Sequence, residues 1–224
     1  MLKLIIGNKV YSSWSLRGWL AVKQSGLPFE ETVVSLYDEA WETRKREADL
    51  APSRGKVPML WDGAAAVWES LAIIDYLDAI CGGDKFWPKD RSARALALSM
   101  AAEMHAGYQA LRSEHTMNTR PVYAPREPSA AVQADIDRIM DLWAQARTRF
   151  GNGGDYLFGD FGAADIMFAP VVTRFITYSL PVTPVGQAYI EAISAHPFMQ
   201  EWLEGAAAER WVIDRFESPD LPLA

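Results

Sequence analysis

The sequence predicts an α/β domain followed by an all-α domain, and three observations carry that prediction. Strand signals are confined to about the first eighty residues, where they alternate with helical ones. A turn-rich stretch then shifts the composition, with Gly82-Gly83-Asp84 followed by Trp87-Pro88-Lys89. Beyond it the apolar spacing is helical almost throughout. The expected organisation is residues 1–81 for the α/β domain, 82–90 for a linker and 91–224 for the helical domain.

Leu2 to Ile6 is a continuous aliphatic run of the kind found in strands buried on both faces, and Gly7-Asn8 ends it. From Ser15, the apolar positions Leu16, Trp19 and Leu20 fall at helical spacing and leave Arg17, Lys23 and Gln24 for solvent or for a site. Glu30 to Leu36 reads as a second strand behind the turn Gly26-Leu27-Pro28, and the charged segment Asp38 to Asp49 as a solvated helix. Two short strands, Val57 to Trp61 and Ala65 to Trp68, flank the hairpin signal Asp62-Gly63. Glu69-Ser70 then opens a helix with Leu71, Ile74, Leu77 and Ile80 on the 3.6 period. In the second part, Arg91 to about Asn118 reads as one long helix, followed by Pro121, Pro125 and Pro128. Ser129 to Phe150, a helix from Ala163, Val185 to Ala195 and Pro197 to Ala207 complete the helical set.

Half of the 224 residues are hydrophobic, with nine Trp and nine Phe, so packed cores are expected and a disulfide-dependent scaffold is not. The net charge of −7 and the lack of a basic stripe argue against nucleic acid as a partner. One cysteine, Cys81, reads as a small buried hydrophobe, and three His without clustered Cys give no metal-ligand spacing. Met1 to Ile6 lacks the features of a signal peptide and no stretch has the length of a membrane span, so a soluble cytoplasmic protein without membrane partners is expected.

The chemistry is expected at three places in the first domain. Tyr11-Ser12-Ser13-Trp14-Ser15 lies at a strand-to-helix turn, where free N–H groups and the helix dipole favour an anion and the serines can donate to it. The simpler role for such a serine is an N-cap. Lys56-Val57-Pro58-Met59-Leu60 places proline at the entry of an apolar strand. A cis bond there would turn the Val57 N–H and C=O toward an extended peptide-like ligand, whereas a trans proline would only mark an edge. At Glu69-Ser70, the helix start and Ser70 suit a carboxylate and Glu69 suits an ammonium, the two charges of an α-amino acid; the plain alternative is a cap and a first-turn acid.

In this order and spacing, Ser12 to Arg17, Lys56 to Leu60 and Glu69 to Leu77 resemble the cytosolic glutathione transferases, closest to the serine-type, zeta-like bacterial members. Phe161 to Pro170 is similar to that family's capping-box helix. The resemblance implies a thioredoxin-like domain holding glutathione as co-substrate, an all-helical domain lining the pocket of a small electrophile, a homodimer, and a role in detoxification. It implies Ser12, with Ser13 as its neighbour, as the hydroxyl that stabilises the thiolate. It further implies Val57 and Pro58 against the cysteinyl backbone, Glu69 and Ser70 at the γ-glutamyl end, and Arg54 and Lys56 near the glycyl carboxylate.

Two positions depart from the pattern. Trp14 stands where zeta-type isomerases carry a cysteine, so an indole reshapes the pocket and counts against maleylacetoacetate isomerisation. Gly162 replaces the capping Ser or Thr, leaving only the bond from Asp165 back to the Gly162 N–H, with Phe161 and Ile166 placed as a hydrophobic staple. Along the first long helix, Met104, Tyr108 and Arg112, with His105 beside them, are the candidates for the second-substrate pocket, although a Met and aromatic stripe is more often core. If Arg112 reaches the cleft, an acidic electrophile is expected. The alternatives are a non-catalytic relative that binds or regulates, and reduction through a mixed disulfide, which would want a cysteine where Trp14 stands.

Overall fold

The computed structural model describes residues 1–218 and 220–224. Strand β1 (Leu2–Ile6) is the spine of a four-stranded sheet of order β2-β1-β3-β4. It pairs in parallel with β2 (Phe29–Val33) and antiparallel with β3 (Met59–Asp62), and β3 forms a hairpin with β4 (Ala65–Trp68) across Gly63. The parallel pair requires a crossover, supplied by α1 (Ser13–Ser25). Helix α3 (Ser70–Ile80) follows the hairpin and packs beside α1. This mixed sheet with its helices is the expected thioredoxin-like domain.

Three boundaries differ from the sequence reading, each for a local reason. Strand β2 ends at Val33; Val34 still donates to Ile6 O at 2.8 Å, but the Leu36 N–H is taken by the buried side chain of Asn8. The segment Asp38 to Asp49 holds only one helical turn, α2 (Trp41–Arg44), because Trp41 is its one buried residue and there is no apolar face to extend. Strand β3 starts at Met59 because Pro58 has no N–H to give the ladder.

The long helix expected from Arg91 to Asn118 is two helices, α4 (Arg91–Ala106) and α5 (Gln109–Glu114). Gly107 ends α4, its N–H bonded to Glu103 O at 2.7 Å, and a Cβ there would lie 2.8 Å from that same oxygen. Tyr108 then takes a left-handed conformation, φ +58°. The remaining helices are α6 (Ala130–Phe150), α7 (Ala163–Thr177), α8 (Pro184–Ala195) and α9 (Pro197–Ala208), followed by a 3-10 turn at Asp214–Phe216. Helix α7 is buried along nearly its whole length and packs against both α1 and α4. Its start is held by Asp165, which accepts from Gly162 N at 2.9 Å, Leu157 N at 3.1 Å and the Tyr189 hydroxyl at 3.0 Å. One continuous core joins sheet and bundle, running from Leu4 and Trp19 through Met100 and Phe168 to Trp143 and Trp202. Burial of this apolar surface, worth about 25 cal/mol per Å², makes the relative placement of sheet and bundle part of the fold. Among the described residues no helix is long and apolar enough to cross a membrane.

Candidate functional site

The N-terminus of α1 is built by a chain of hydrogen bonds from buried to accessible groups. Asn8, fully buried, accepts at its carbonyl from the N–H groups of Tyr11 and Ser12 and so turns the chain from β1 into α1. Ser12 is the N-cap: its Oγ accepts from Ser15 N at 3.3 Å and its hydroxyl donates to Ser15 Oγ at 2.8 Å. Ser15 is wholly buried and in turn accepts from Gly7 N at 2.8 Å. Ser13 opens the helix with its backbone N–H among the first-turn groups that have no intrahelical partner. Arg17, left for solvent or a site in the sequence reading, is instead buried, with Nε donating to Met167 O at 2.8 Å across to α7.

The second wall comes from the entry to β3. The Val57-Pro58 peptide bond is cis, and Pro58 rests directly on α1 at Gly18, where a Cβ would approach Pro58 Cβ to 2.6 Å. Val57 lies outside the sheet ladder. Arg54 and Gly55 before it both have positive φ, +54° and +77°.

The third wall is the start of α3. Glu69 sits at φ +67°, a region that costs a non-glycine residue about 1–3 kcal/mol and that concentrates at functional sites. The Ser70 hydroxyl is buried, 3.7 Å from Met167 Sδ. The Glu69 carboxylate lies 3.6 Å from Lys56 Nζ and 3.8 Å from His105 Nε2. Burial pulls the His105 pKa below its ordinary value despite the opposing pull of Glu69, so at neutral pH the imidazole faces Glu69 uncharged.

These walls enclose a cleft of about 460 Å³. Ser12, Arg54, Lys56, Val57, Pro58, Glu69 and Ser70 all line it, together with Trp14. Sequence reasoning missed Lys45, Tyr37 and Trp41 on the same lining. Lys45 stands in a run of charges with nothing to mark it, whereas Tyr37 shows itself only through its positive φ of +65°. The cleft thus presents three cations, Lys45, Arg54 and Lys56, and one carboxylate, Glu69.

An adjoining cleft of about 340 Å³ shares Ser12, Trp14 and Tyr37 with the first and adds Ser13, Arg112, Gln109, Arg174 and Phe216. Of the candidates on the first long helix, only Arg112 lines it. Met104 is fully buried in the core, and Tyr108 is buried with its hydroxyl on Glu103 Oε1 at 2.9 Å. Met104 lies on the buried face of α4 with Ala97, Met100 and Ala101, Tyr108 turns inward at the break after Gly107, and Arg112, on α5, is left at the cleft. His105 packs edge-on against Trp14, ring centroids 5.1 Å apart. Arg174, which sequence reasoning missed, is buried and bonds His115 O and Pro170 O; burial, with Arg112 nearby, lowers its pKa to about 10. A lone arginine in the otherwise apolar run Phe168 to Thr177 is the signal that could have found it.

The structure thus joins a thioredoxin-like α/β domain to a helical bundle, with an amphoteric cleft beside a basic one. Residues 11–80 match the family model of the glutathione S-transferase N-terminal domain, and residues 128–205 match that of its C-terminal domain. The chain belongs to the glutathione S-transferase family. Among curated proteins it is 28% identical over 171 residues to Protein IN2-1 homolog A of Oryza sativa subsp. japonica, across 75% of this chain and 63% of that protein. It is 32% identical over 109 residues to a probable maleylacetoacetate isomerase of Vibrio cholerae, across 47% of this chain and 51% of that one. The chain therefore spans under two thirds of the length of these relatives. Among solved structures, a glutathione transferase homolog from Burkholderia GL BGR1 with bound glutathione matches with a TM-score of 0.68 at 24% identity, covering 93% of this chain and 99% of that one. At that identity the likeness speaks for the fold alone.

Proposed function

We propose that this chain is a serine-type glutathione transferase that binds glutathione in the larger cleft and directs its thiolate at a small acidic electrophile in the adjoining one. The observation that carries the reading is the convergence of three separate segments, at Ser12, at Val57-Pro58 and at Glu69-Ser70, on a single cleft. Glutathione carries two carboxylates and one ammonium, and the cleft offers cations for the former and the Glu69 carboxylate for the latter.

A free thiol has a pKa of roughly 8.5 and is mostly protonated at neutral pH. A hydrogen bond from Ser12 and the N-terminal field of α1 both favour the anion, so Ser12 serves as a donor and no base is required. The Ser12 hydroxyl has one proton; when it turns to the sulfur, the proton of Ser15 can fill the vacated bond to Ser12 Oγ. The thiolate sulfur then bonds to the electrophilic carbon, either with loss of a leaving group in conjugation or as a reversible addition in isomerisation. Holding the two reactants in adjoining clefts supplies the orientation term. Arg112 and Arg174 on the second cleft favour an electrophile bearing a carboxylate.

Calorimetric titration with glutathione and S-methylglutathione tests the reading. Saturable binding of both, with the free thiol preferred and that preference erased in Ser12→Ala, is expected. Absence of heat at millimolar glutathione would remove it.

A further inference from the structure

Trp14, the second residue of α1, borders both clefts. Two guanidinium groups lie over its indole ring, Arg17 with Cζ 4.6 Å from the ring centroid and Arg112 with Cζ at 4.9 Å. Among the described residues, neither of these arginines, nor Arg174 beside them, lies within 4.0 Å of a carboxylate oxygen. A buried or half-buried cation ordinarily takes a carboxylate partner. Here the ring face and backbone carbonyls stand in for one, since an aromatic face attracts a cation most strongly when both are withdrawn from water. Arg17 has its backbone tie to Met167 O. Among the described residues the Arg112 guanidinium makes a single hydrogen bond, Nη1 to Gly107 O at 3.2 Å, so most of its five N–H donors are uncommitted where it lines the second cleft.

We propose that Trp14 determines the charge preference of the second-substrate cleft: its ring holds the Arg112 guanidinium in place, so that the free N–H groups meet a carboxylate on the electrophile. This rests on the transferase reading. Trp14 is a positioning residue in this scheme, acting on the electrophile through Arg112. An aliphatic residue at the same position would leave that guanidinium tethered by one long bond and free to swing toward solvent. The withdrawal of Arg112 from water already lowers its pKa, a penalty that an incoming carboxylate would relieve.

The test compares 4-chloro-3-nitrobenzoate with the neutral 4-chloro-3-nitrobenzamide as electrophiles. In both, the glutathione sulfur bonds to the chlorinated carbon and chloride leaves. Steady-state KM and kcat are measured for the parent, Trp14→Leu, Trp14→Phe, Arg112→Ala and the Trp14→Leu/Arg112→Ala double variant, alongside the KM for glutathione. The expected result for Trp14→Leu is a rise in KM for the benzoate that exceeds its rise for the benzamide by roughly tenfold, with kcat carrying little of the loss. Trp14→Phe, which keeps a ring face, recovers part of that discrimination and keeps the test open if the leucine variant folds poorly. In the Arg112→Ala background, Trp14→Leu no longer changes the benzoate-to-benzamide ratio. Equal losses on both electrophiles, or a Trp14 effect on the ratio that persists without Arg112, would overturn the proposal while leaving the transferase reading intact. A parent that binds no glutathione and turns over neither electrophile would overturn both.

Discussion

The hydroxyl of Ser12 donates to Ser15 Oγ at 2.8 Å, which places a buried serine directly behind the accessible one at the mouth of the cleft. Ser15 also holds the Gly7 N–H at 2.8 Å. Ser15→Ala leaves that buried donor without a partner and is expected to cost about 1–3 kcal/mol of stability. It also removes the hydroxyl that takes up the bond when Ser12 turns to the sulfur. Turnover is expected to fall by less than in Ser12→Ala, since Ser12 itself remains; denaturant titration and steady-state kinetics check both parts.

The contact between His105 and Glu69, 3.8 Å apart, predicts a pH dependence of ligand binding. Burial lowers the His105 pKa, so the ring charges only below its ordinary value of about 6.5. A charged imidazole there competes with the ligand ammonium for Glu69. Affinity for S-methylglutathione, which has no thiol to titrate, is expected to fall as acidification charges the ring, and His105→Gln should flatten that fall. Calorimetry across pH 5 to 8 reads the difference directly.

Gly18 and Pro58 pack with no room for a methyl group between them. Gly18→Ala would push a Cβ to within 2.6 Å of Pro58 Cβ, a backbone-anchored contact that cannot rotate away. The expected cost is about 1–3 kcal/mol, as in other overpacked cores. Because the displaced segment carries Val57, glutathione affinity should weaken in the same variant.

Asp165 tests the sign of a buried carboxylate. Burial pushes its pKa up to about 6, with the bonds from Leu157, Gly162 and Tyr189 pulling the other way. The folded state therefore holds the Asp165 proton more tightly than the unfolded chain, whose value is about 3.9. Between these values stability rises as the pH falls, and the penalty for the ionised form is fully present above about pH 6. The stability of the parent relative to Asp165→Asn should accordingly increase from pH 7 to pH 4.5, measured by denaturant unfolding at each pH.

The parts legible in the sequence were those that local chemistry dictates. Leu2 to Ile6, the Asp62-Gly63 hairpin and the helix after Glu69 carry their own signals, and the structure places them as read. The break at Gly107 was missed because the apolar spacing continues across it; only the glycine hinted that α4 stops there. Tyr108 goes into the core at that break, whereas Met104 is core because it continues the buried face of α4 formed by Ala97, Met100 and Ala101. Lys45 was hidden for the opposite reason, since a side chain recruited from a turn-rich charged segment has no periodicity to betray it. Arg174 was visible as a lone charge in an apolar helix, but what it serves depends on Arg112 arriving from another helix.

The central claim is that Ser12 stabilises the thiolate of bound glutathione, and the most direct measurement is the pKa of that thiol, followed by the ultraviolet absorbance of the thiolate across a pH titration. The account predicts a drop from about 8.5 to about 7 in the complex with the parent protein, and a return toward 8.5 with Ser12→Ala. Bound glutathione with an unshifted thiol, or a shift that survives Ser12→Ala, would contradict it. The unshifted thiol would leave the chain as a glutathione-binding relative without transferase chemistry.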